Sequence, residues 1–311
     1  MCENEFGTMK YKVAQIIPYF GRWPEWMELY LYSCGKNPMV DFIFYTDCPL
    51  PKRTYPNTLF QTCTREEYYR MVSDRLQVDF RPQEAYKLTD LKPFLGKVHE
   101  EELRDYEFWG FGDLDLVYGD LGMLVNESNL TRYDVLTTHA YRVAGHFTLL
   151  RNTAYYRNLC FRIRDWKQRL TDEKHCGLDE MDFSNLINPY QRTIGRLNRY
   201  ALRYLGISSD RTFGVLNRLL LPHKWIQEMH TTPNPAPCGG KAPCWQYDVQ
   251  RGVVTSDTGM ELPYLHFFCF KKNRWSVDDT WCWRDGYYQL DDAIERYRTI
   301  LIDCQSISGT K

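Results

Sequence analysis

Short apolar runs and amphipathic stretches alternate along the first half of the chain. Lys12 to Ile17 (KVAQII) has the length of a buried strand and ends at Pro18. Pro24 then opens a stretch, Glu25 to Cys34, in which Trp26, Leu29 and Tyr30 recur at helical spacing. Met39 to Tyr45 predicts a second strand that stops at Thr46-Asp47, and Thr58 to Cys63 a third. Thr64 starts the next helix, with Glu67 completing a capping box. Gln83 to Val98 carries a further helix that Pro93 kinks or ends. Tyr106 to Gly112 is the next strand, and it runs straight into Asp113. Tyr133 to Thr138 and His146 to Leu150 predict two more strands, and Thr153 to Leu170 a long helix.

The remainder is less regular. A basic helical region covers about Pro189 to Leu221, and the loop TTPNPAPCGGKAPC breaks the pattern. Trp245 to Thr255 predicts a hairpin around Arg251-Gly252, Tyr264 to Phe270 a strand, and Asp291 to Leu301 a closing helix. Strand and helix in this alternation predict an α/β fold: a mostly parallel, Rossmann-like central sheet flanked by helices, with a C-terminal helical and irregular extension.

Composition narrows the class without changing it. At 311 residues, 43% hydrophobic and 25% charged, the chain is an ordinary globular protein, which excludes disordered, collagenous and coiled-coil readings. The net charge of -1 excludes a global nucleic-acid footprint. No apolar run reaches the roughly 20 residues of a membrane span, and the N-terminus has no signal-peptide core, so the expected location is the cytoplasm. Eleven scattered cysteines without a CxxC pair fit reduced thiols better than a disulfide framework.

The sharpest chemistry lies in WGFGDLDLVYGDLG, Trp109 to Gly122. Asp113 and Asp115 close a strand, where open α/β sheets place ligands, and residues i and i+2 of an extended chain point to one side. Two converging carboxylates repel unless a cation lies between them, and hard oxygen ligands select Mg²⁺ or Mn²⁺. Two metal-dependent chemistries fit. Asp113-Leu114-Asp115-Leu116-Val117 matches the D-x-D-x-T/V motif of haloacid-dehalogenase-like phosphohydrolases, whose domains open with that strand. Sugar transfer on a GT-A fold instead has a nucleotide-binding half before the D-x-D, which is the order in this chain.

PYFGRWPEW after the first strand, FIFYTD closing the second, AYKLTDLKPFLG, FWGFGDLDLVYGDL, GHFTLLRN and YLHFFCFKK, taken together in this order, resemble a family of GT-A-type glycosyltransferases common in bacterial capsule and surface-polysaccharide gene clusters. The resemblance covers roughly Lys12 to Lys272. It implies one GT-A domain over 1–311: a nucleotide-sugar-binding half at 12–120, an acceptor-binding half at 121–275 with a basic helical insertion at 187–226, and a strand/helix extension at 276–311.

The resemblance also implies roles. Asp113 and Asp115 hold the Mn²⁺ or Mg²⁺ that bridges the donor diphosphate, and His266 completes the metal shell. Lys271 and Lys272 neutralise the leaving diphosphate. Asp47 accepts from a uracil imide N–H, Pro18, Tyr19 and Phe20 flank the base, and Lys87 and Asp90 lie near the ribose and phosphates. The acceptor hydroxyl needs a base, and the acids of GLDEMDF supply Glu180 first and Asp179 second, with Asp182 beside the substrate. The same three acids also suit a helix N-terminus. His146 and Arg151 face the transferred sugar or acceptor. The expected partners are a UDP-sugar donor, a hexose donor such as UDP-galactose or UDP-galactofuranose, and a glycan or lipid-linked saccharide acceptor, with inversion at the anomeric carbon. Arg192, Arg196, Arg199, Arg203 and Arg218 make 192–218 either a solvated basic face or a surface for anionic lipid, which vesicle flotation distinguishes. The rival functions are a D-x-D phosphohydrolase and a non-catalytic glycan-binding protein.

Overall fold

The computed structural model describes residues 10–139, 142–190, 193, 196–197, 200, 203–204, 219–221, 224–226, 228–233, 243–271 and 286–311, the side chains of 225, 226 and 271 excepted. Eight strands come first in the chain: β1 (Val13–Pro18), β2 (Val40–Thr46), β3 (Thr58–Thr62), β4 (Phe108–Gly112), β5 (Leu116–Tyr118), β6 (Val135–Thr137), β7 (Phe147–Arg151) and β8 (Lys224–Ile226). All except β5 form the central sheet, in the order β3-β2-β1-β4-β7-β6-β8. Pairing is parallel from β3 through β2 and β1 to β4, and again between β6 and β8. Strand β7 is antiparallel to both its neighbours. The protein is therefore a mixed α/β fold with a mostly parallel central sheet flanked by helices.

Two features of this order place the site. The chain lays β2 and β3 on one side of β1 and β4 on the other, so the strand order reverses at β1, and the crevice beyond the ends of β1 and β4 is where such sheets bind ligands. Strand β7 runs the opposite way, so its first residues lie beside the last residues of β4, with Phe147 opposite Gly112.

Period-two alternation divides the core. Val13 and Ile17 with Phe42 and Phe44 face one cluster, shared with helix α1 (Met27–Gly35). Ala14 and Ile16 with Ile43 and Tyr45 face the other, covered by helix α2 (Arg65–Leu76), the 3₁₀ helix Ala85–Phe94 and helix α3 (Leu95–Val98). Helix α2 begins with the expected capping box: the Thr64 hydroxyl accepts from the Glu67 amide, and the Glu67 carboxylate accepts from the Thr64 amide.

The C-terminal part contains more strand than the helical, irregular and strand/helix extension expected of it. Strands β9 (Trp245–Asp248), β10 (Val253–Thr255) and β11 (Glu261–Leu262) form an antiparallel sheet with β13 (Thr299–Ile302) and β14 (Ile307–Thr310), while β12 (Tyr264–His266) pairs with β5. The hairpin at Arg251-Gly252 is present, with Gly252 at a φ of 65°. The closing helix is not: Asp291 to Leu301 holds a single 3₁₀ turn, Ile294–Arg296, and then β13. Ile300 and Ile302 alternate into the core with Leu301 turned outward, and β-branched residues at that period favour a strand. The long helix over Thr153 to Leu170 is broken into Ala154–Asn158, a 3₁₀ turn and Trp166–Thr171, with Asp165 in the left-handed region at the break. The strand at Tyr264 stops at His266, and a short helix, Phe268–Lys271, comes next.

Arg192, Arg199 and Arg218 lie outside the described residues, so most of the basic segment does too. Among the described residues no helix is long and apolar enough to cross a membrane, and the cysteines are free thiols.

Candidate metal centre and the carboxylates beside it

The D-x-D turn is fixed by the motif that succeeds β1. The Trp26 indole donates to the Leu114 carbonyl at 2.7 Å, and Leu114 itself is buried in the core between the two acids. The chain then enters β5, whose antiparallel partner β12 sets Leu116 opposite His266. That register delivers the histidine beside Asp115. Ligating atoms of Asp113, Asp115 and His266 all lie within 4.8 Å of one another.

The donor set suits a divalent cation. His266 Nδ1 shares a hydrogen bond of 3.0 Å with the Thr232 hydroxyl, which leaves Nε2 facing Asp115 Oδ2 at 3.6 Å. The His266 amide donates to the Thr231 carbonyl at 2.8 Å, so both the ring and the backbone of this residue are held by the same short segment. Two carboxylates and one imidazole could hold a divalent cation, and the carboxylates are hard ligands of the kind that Mn²⁺ and Mg²⁺ prefer. His146 stacks on His266 with ring centroids 4.1 Å apart, and its buried Nε2 has no hydrogen-bond partner among the described residues. Burial first, and then the neighbouring His266 and His139, hold the His146 imidazole well below its ordinary pKa, so it is neutral. His146 therefore lies against the ring of His266, beside the three candidate metal ligands.

A second group of charges adjoins the first. The Lys92 ammonium donates to Asp113 Oδ1 at 2.5 Å and to the Gly145 carbonyl at 3.0 Å, and it lies 3.9 Å from Asp179 Oδ2. A buried cation without partners would cost several kcal/mol, and the two acids compensate it. Burial by itself pulls an ammonium down, but the Asp113 and Asp179 carboxylates more than offset this and hold Lys92 above its usual value. Burial pushes the Asp179 carboxyl up to about 6, against the opposing pull of Lys92. Glu180 is engaged otherwise: Oε2 pairs with Arg142 at 2.7 Å and Oε1 accepts from the Gly145 amide at 3.4 Å.

Both acids sit on a single π turn, Leu178–Phe183, a conformation found often at functional sites. Gly145 is the other half of this arrangement, because a Cβ there would stand 2.6 Å from Asp179 Oδ2 and 3.1 Å from Glu180 Oε1.

The structure separates the remaining expected site residues. Lys87 and Asp90 are wholly buried and pair with each other at 3.0 Å. Lys87 donates to the carbonyls of Arg169 and Lys174, and Asp90 accepts from the amides of Cys176 and Leu178, so the pair anchors the segment leading to the π turn and does not face the crevice. Phe20 is buried against Tyr68 and Tyr69, because the alternation of β1 continues past Pro18 and turns it into the core with Ile16. Tyr19 stacks on Trp23 at 5.3 Å. Asp47 Oδ1 accepts from the Gly21 amide at 2.7 Å, tying the ends of β1 and β2 together, and Gly21 takes a φ of 102° to make that turn.

Arg151 ends β7 opposite Phe108, at the opposite end of the strands and roughly 15 Å from the acids by strand rise. It pairs with Asp134 and lines a separate polar cleft with Glu100, Arg104 and Arg157. Asp182 pairs with Arg169 at 2.7 Å. Lys271 ends the short helix after β12 without a described side chain, and Lys272 lies outside the described residues.

The model of DUF6625, a family of unknown function, matches residues 15–201. The chain belongs to that family. The DUF6625 match takes in Pro18 to Phe20, Lys92, Asp113, Asp115, His146, Asp179 and Glu180, and it ends before His266. No curated protein matches the chain.

Sequence reasoning missed Lys92 and Tyr86. Tyr86 is 54% exposed, its ring stands 4.7 Å from that of His175, and after burial the charge of Asp113 is the largest influence raising its hydroxyl pKa. Both residues belong to AYKLTDLKPFLG, and it is the pitch of that segment that decides which of its side chains reach the crevice.

Proposed function

We propose that the chain is a metal-dependent glycosyltransferase of the GT-A type, moving a hexose from a UDP-sugar to a glycan or lipid-linked saccharide acceptor. The observation that carries this reading is the convergence of Asp113, Asp115 and His266 at the switch point of a mostly parallel sheet, with Asp179 close by and lifted toward neutral pH. In this reading Asp113, Asp115 and His266 hold Mn²⁺ or Mg²⁺. When bound, the ion supplies Lewis-acid stabilisation of the charge that grows on the leaving diphosphate. Tyr19, with Asp47 at the neighbouring strand end, borders the place of the base.

Asp179 is the general base in this proposal, ahead of Glu180. A base should titrate near the working pH, and the Asp179 carboxyl does so at about 6. It takes the proton of the acceptor hydroxyl on Oδ2, while Oδ1 stays fixed by the Glu180 amide at 2.8 Å. Glu180 holds Arg142 and the Gly145 loop in place. A base on the protein agrees with transfer by inversion.

The test is turnover. With Mn²⁺ and a panel of UDP-hexoses, the protein is expected to release UDP slowly by hydrolysis, to lose that activity in Asp115→Asn, and to leave p-nitrophenyl phosphate intact. Phosphate release from p-nitrophenyl phosphate, with every UDP-hexose untouched, would replace this reading by that of a phosphohydrolase.

A further inference from the structure

The two ligating acids do not stand alone, because Lys92 occupies part of their charge. Its ammonium is 2.5 Å from Asp113 Oδ1, and its side chain is only 9% exposed. A divalent ion bonded to either oxygen of Asp113 at about 2.1 Å would therefore lie within roughly 7 Å of the ammonium. That is inside the screening length of physiological salt, and burial weakens screening further. The carboxylates of Asp113 and Asp115 and the ammonium of Lys92 together carry a charge of about -1 toward an incoming +2 ion.

Lys92 is also poorly placed to bind a phosphate directly. Its protons are directed to Asp113 Oδ1 and the Gly145 carbonyl, with Asp179 Oδ2 beyond at 3.9 Å. Its influence on a ligand in the crevice is therefore exerted through its field.

We propose that Lys92 makes the cation site conditional on an anionic ligand: the ammonium weakens the hold of Asp113 and Asp115 on a divalent ion, and a nucleoside diphosphate restores the missing negative charge. This inference rests on the metal-centre reading above and adds an order to it, since the ion is held firmly only together with the diphosphate. The arrangement has a chemical use. A site that binds its ion weakly in the absence of nucleotide also releases it with the spent diphosphate, so product departure is not blocked by a permanently bound complex.

The test is isothermal titration of Mn²⁺ into the full-length protein, with and without saturating UDP, for the wild type, Lys92→Met, Lys92→Gln and Lys92→Arg, each checked for folding by circular dichroism. In the wild type, UDP is expected to tighten Mn²⁺ binding roughly tenfold or more. The two neutral variants are expected to bind Mn²⁺ without UDP roughly tenfold more tightly than the wild type, with a smaller effect of UDP, and Lys92→Arg to behave as the wild type does. Neutral variants that bind Mn²⁺ no more tightly than the wild type overturn the role of Lys92 and leave the metal centre standing. Absence of Mn²⁺ binding in every titration overturns both. If neither neutral variant folds, the wild type decides: an Mn²⁺ affinity that UDP leaves unchanged overturns the proposal.

Discussion

Burial that lifts the Asp179 carboxyl to about 6 acts on stability as well as on chemistry. The folded protein holds that proton more tightly than the unfolded chain, whose carboxyl titrates near 3.8. The favourable contribution is therefore complete below about 3.8 and is lost as pH rises to about 6; above that, the ionised acid costs the fold roughly 3 kcal/mol. Asp179→Asn is thus expected to gain stability relative to the wild type as pH rises from about 4 to 7, read by urea denaturation at each pH. If Asp179 is the base proposed above, turnover is expected to fall as pH drops through about 6. A stability difference that does not vary with pH contradicts the assignment. The sequence could show that Asp179 and Glu180 are neighbouring acids, but not which of them is buried. That distinction comes from Gly145, whose missing side chain lets the two carboxylates close over the loop.

Elements decide what single residues cannot. The stretch from Gln83 to Val98 carries helical periodicity in the sequence, but Ala85 to Phe94 folds as a 3₁₀ helix, in which residues three apart share a face. Lys87 and Asp90 are three apart, so they pair with each other inside the protein, and Lys92, two residues on, emerges beside Asp113. The resemblance, and no helical pattern, points to Lys87; the structure buries Lys87 against Asp90 and brings Lys92 to Asp113. The D-x-D acids were legible because β4 is a clear strand ending at Gly112, and residues just past the carboxyl end of such a strand reach the ligand crevice. His266 depends on the pairing of β5 with β12, a contact between residues about 150 positions apart that no local pattern records. Its aim depends on Thr232, whose hydroxyl holds Nδ1. Thr232→Val is expected to weaken Mn²⁺ binding in the presence of UDP by roughly tenfold while leaving the unfolding midpoint nearly unchanged. Unaltered Mn²⁺ affinity, measured by the same titration, would show that His266 is no ligand.

At the scale of the whole molecule, the parallel half was legible and the rest less so. Strands β1, β2 and β4 are apolar runs, with helix α1 between β1 and β2 and helices α2 and α3 between β3 and β4, and that alternation points to parallel pairing, while β2 and β3 are joined without a helix. The reversed direction of β7 is not written in its own residues, yet it sets the loop from Arg142 to His146 against the end of β4. Of the C-terminal sheet only the hairpin of β9 and β10 was legible; β11, β13 and β14 were missed because they are two to four residues long and the sheet is held by a core shared with the central sheet. Together these parts bring three sequence-distant segments to one crevice: the D-x-D turn, the π turn and β12. If that crevice binds a metal and a nucleotide together, the folded state must gain stability from the pair. The most direct test is therefore a thermal-shift screen of nucleoside diphosphates with and without Mn²⁺, on the wild type and Asp115→Asn. The account predicts that UDP and Mn²⁺ together raise the midpoint by several degrees, that either one alone does much less, and that Asp115→Asn abolishes the joint effect. No response to any nucleotide in the presence of Mn²⁺, or a UDP response that is independent of both metal and Asp115, would contradict it.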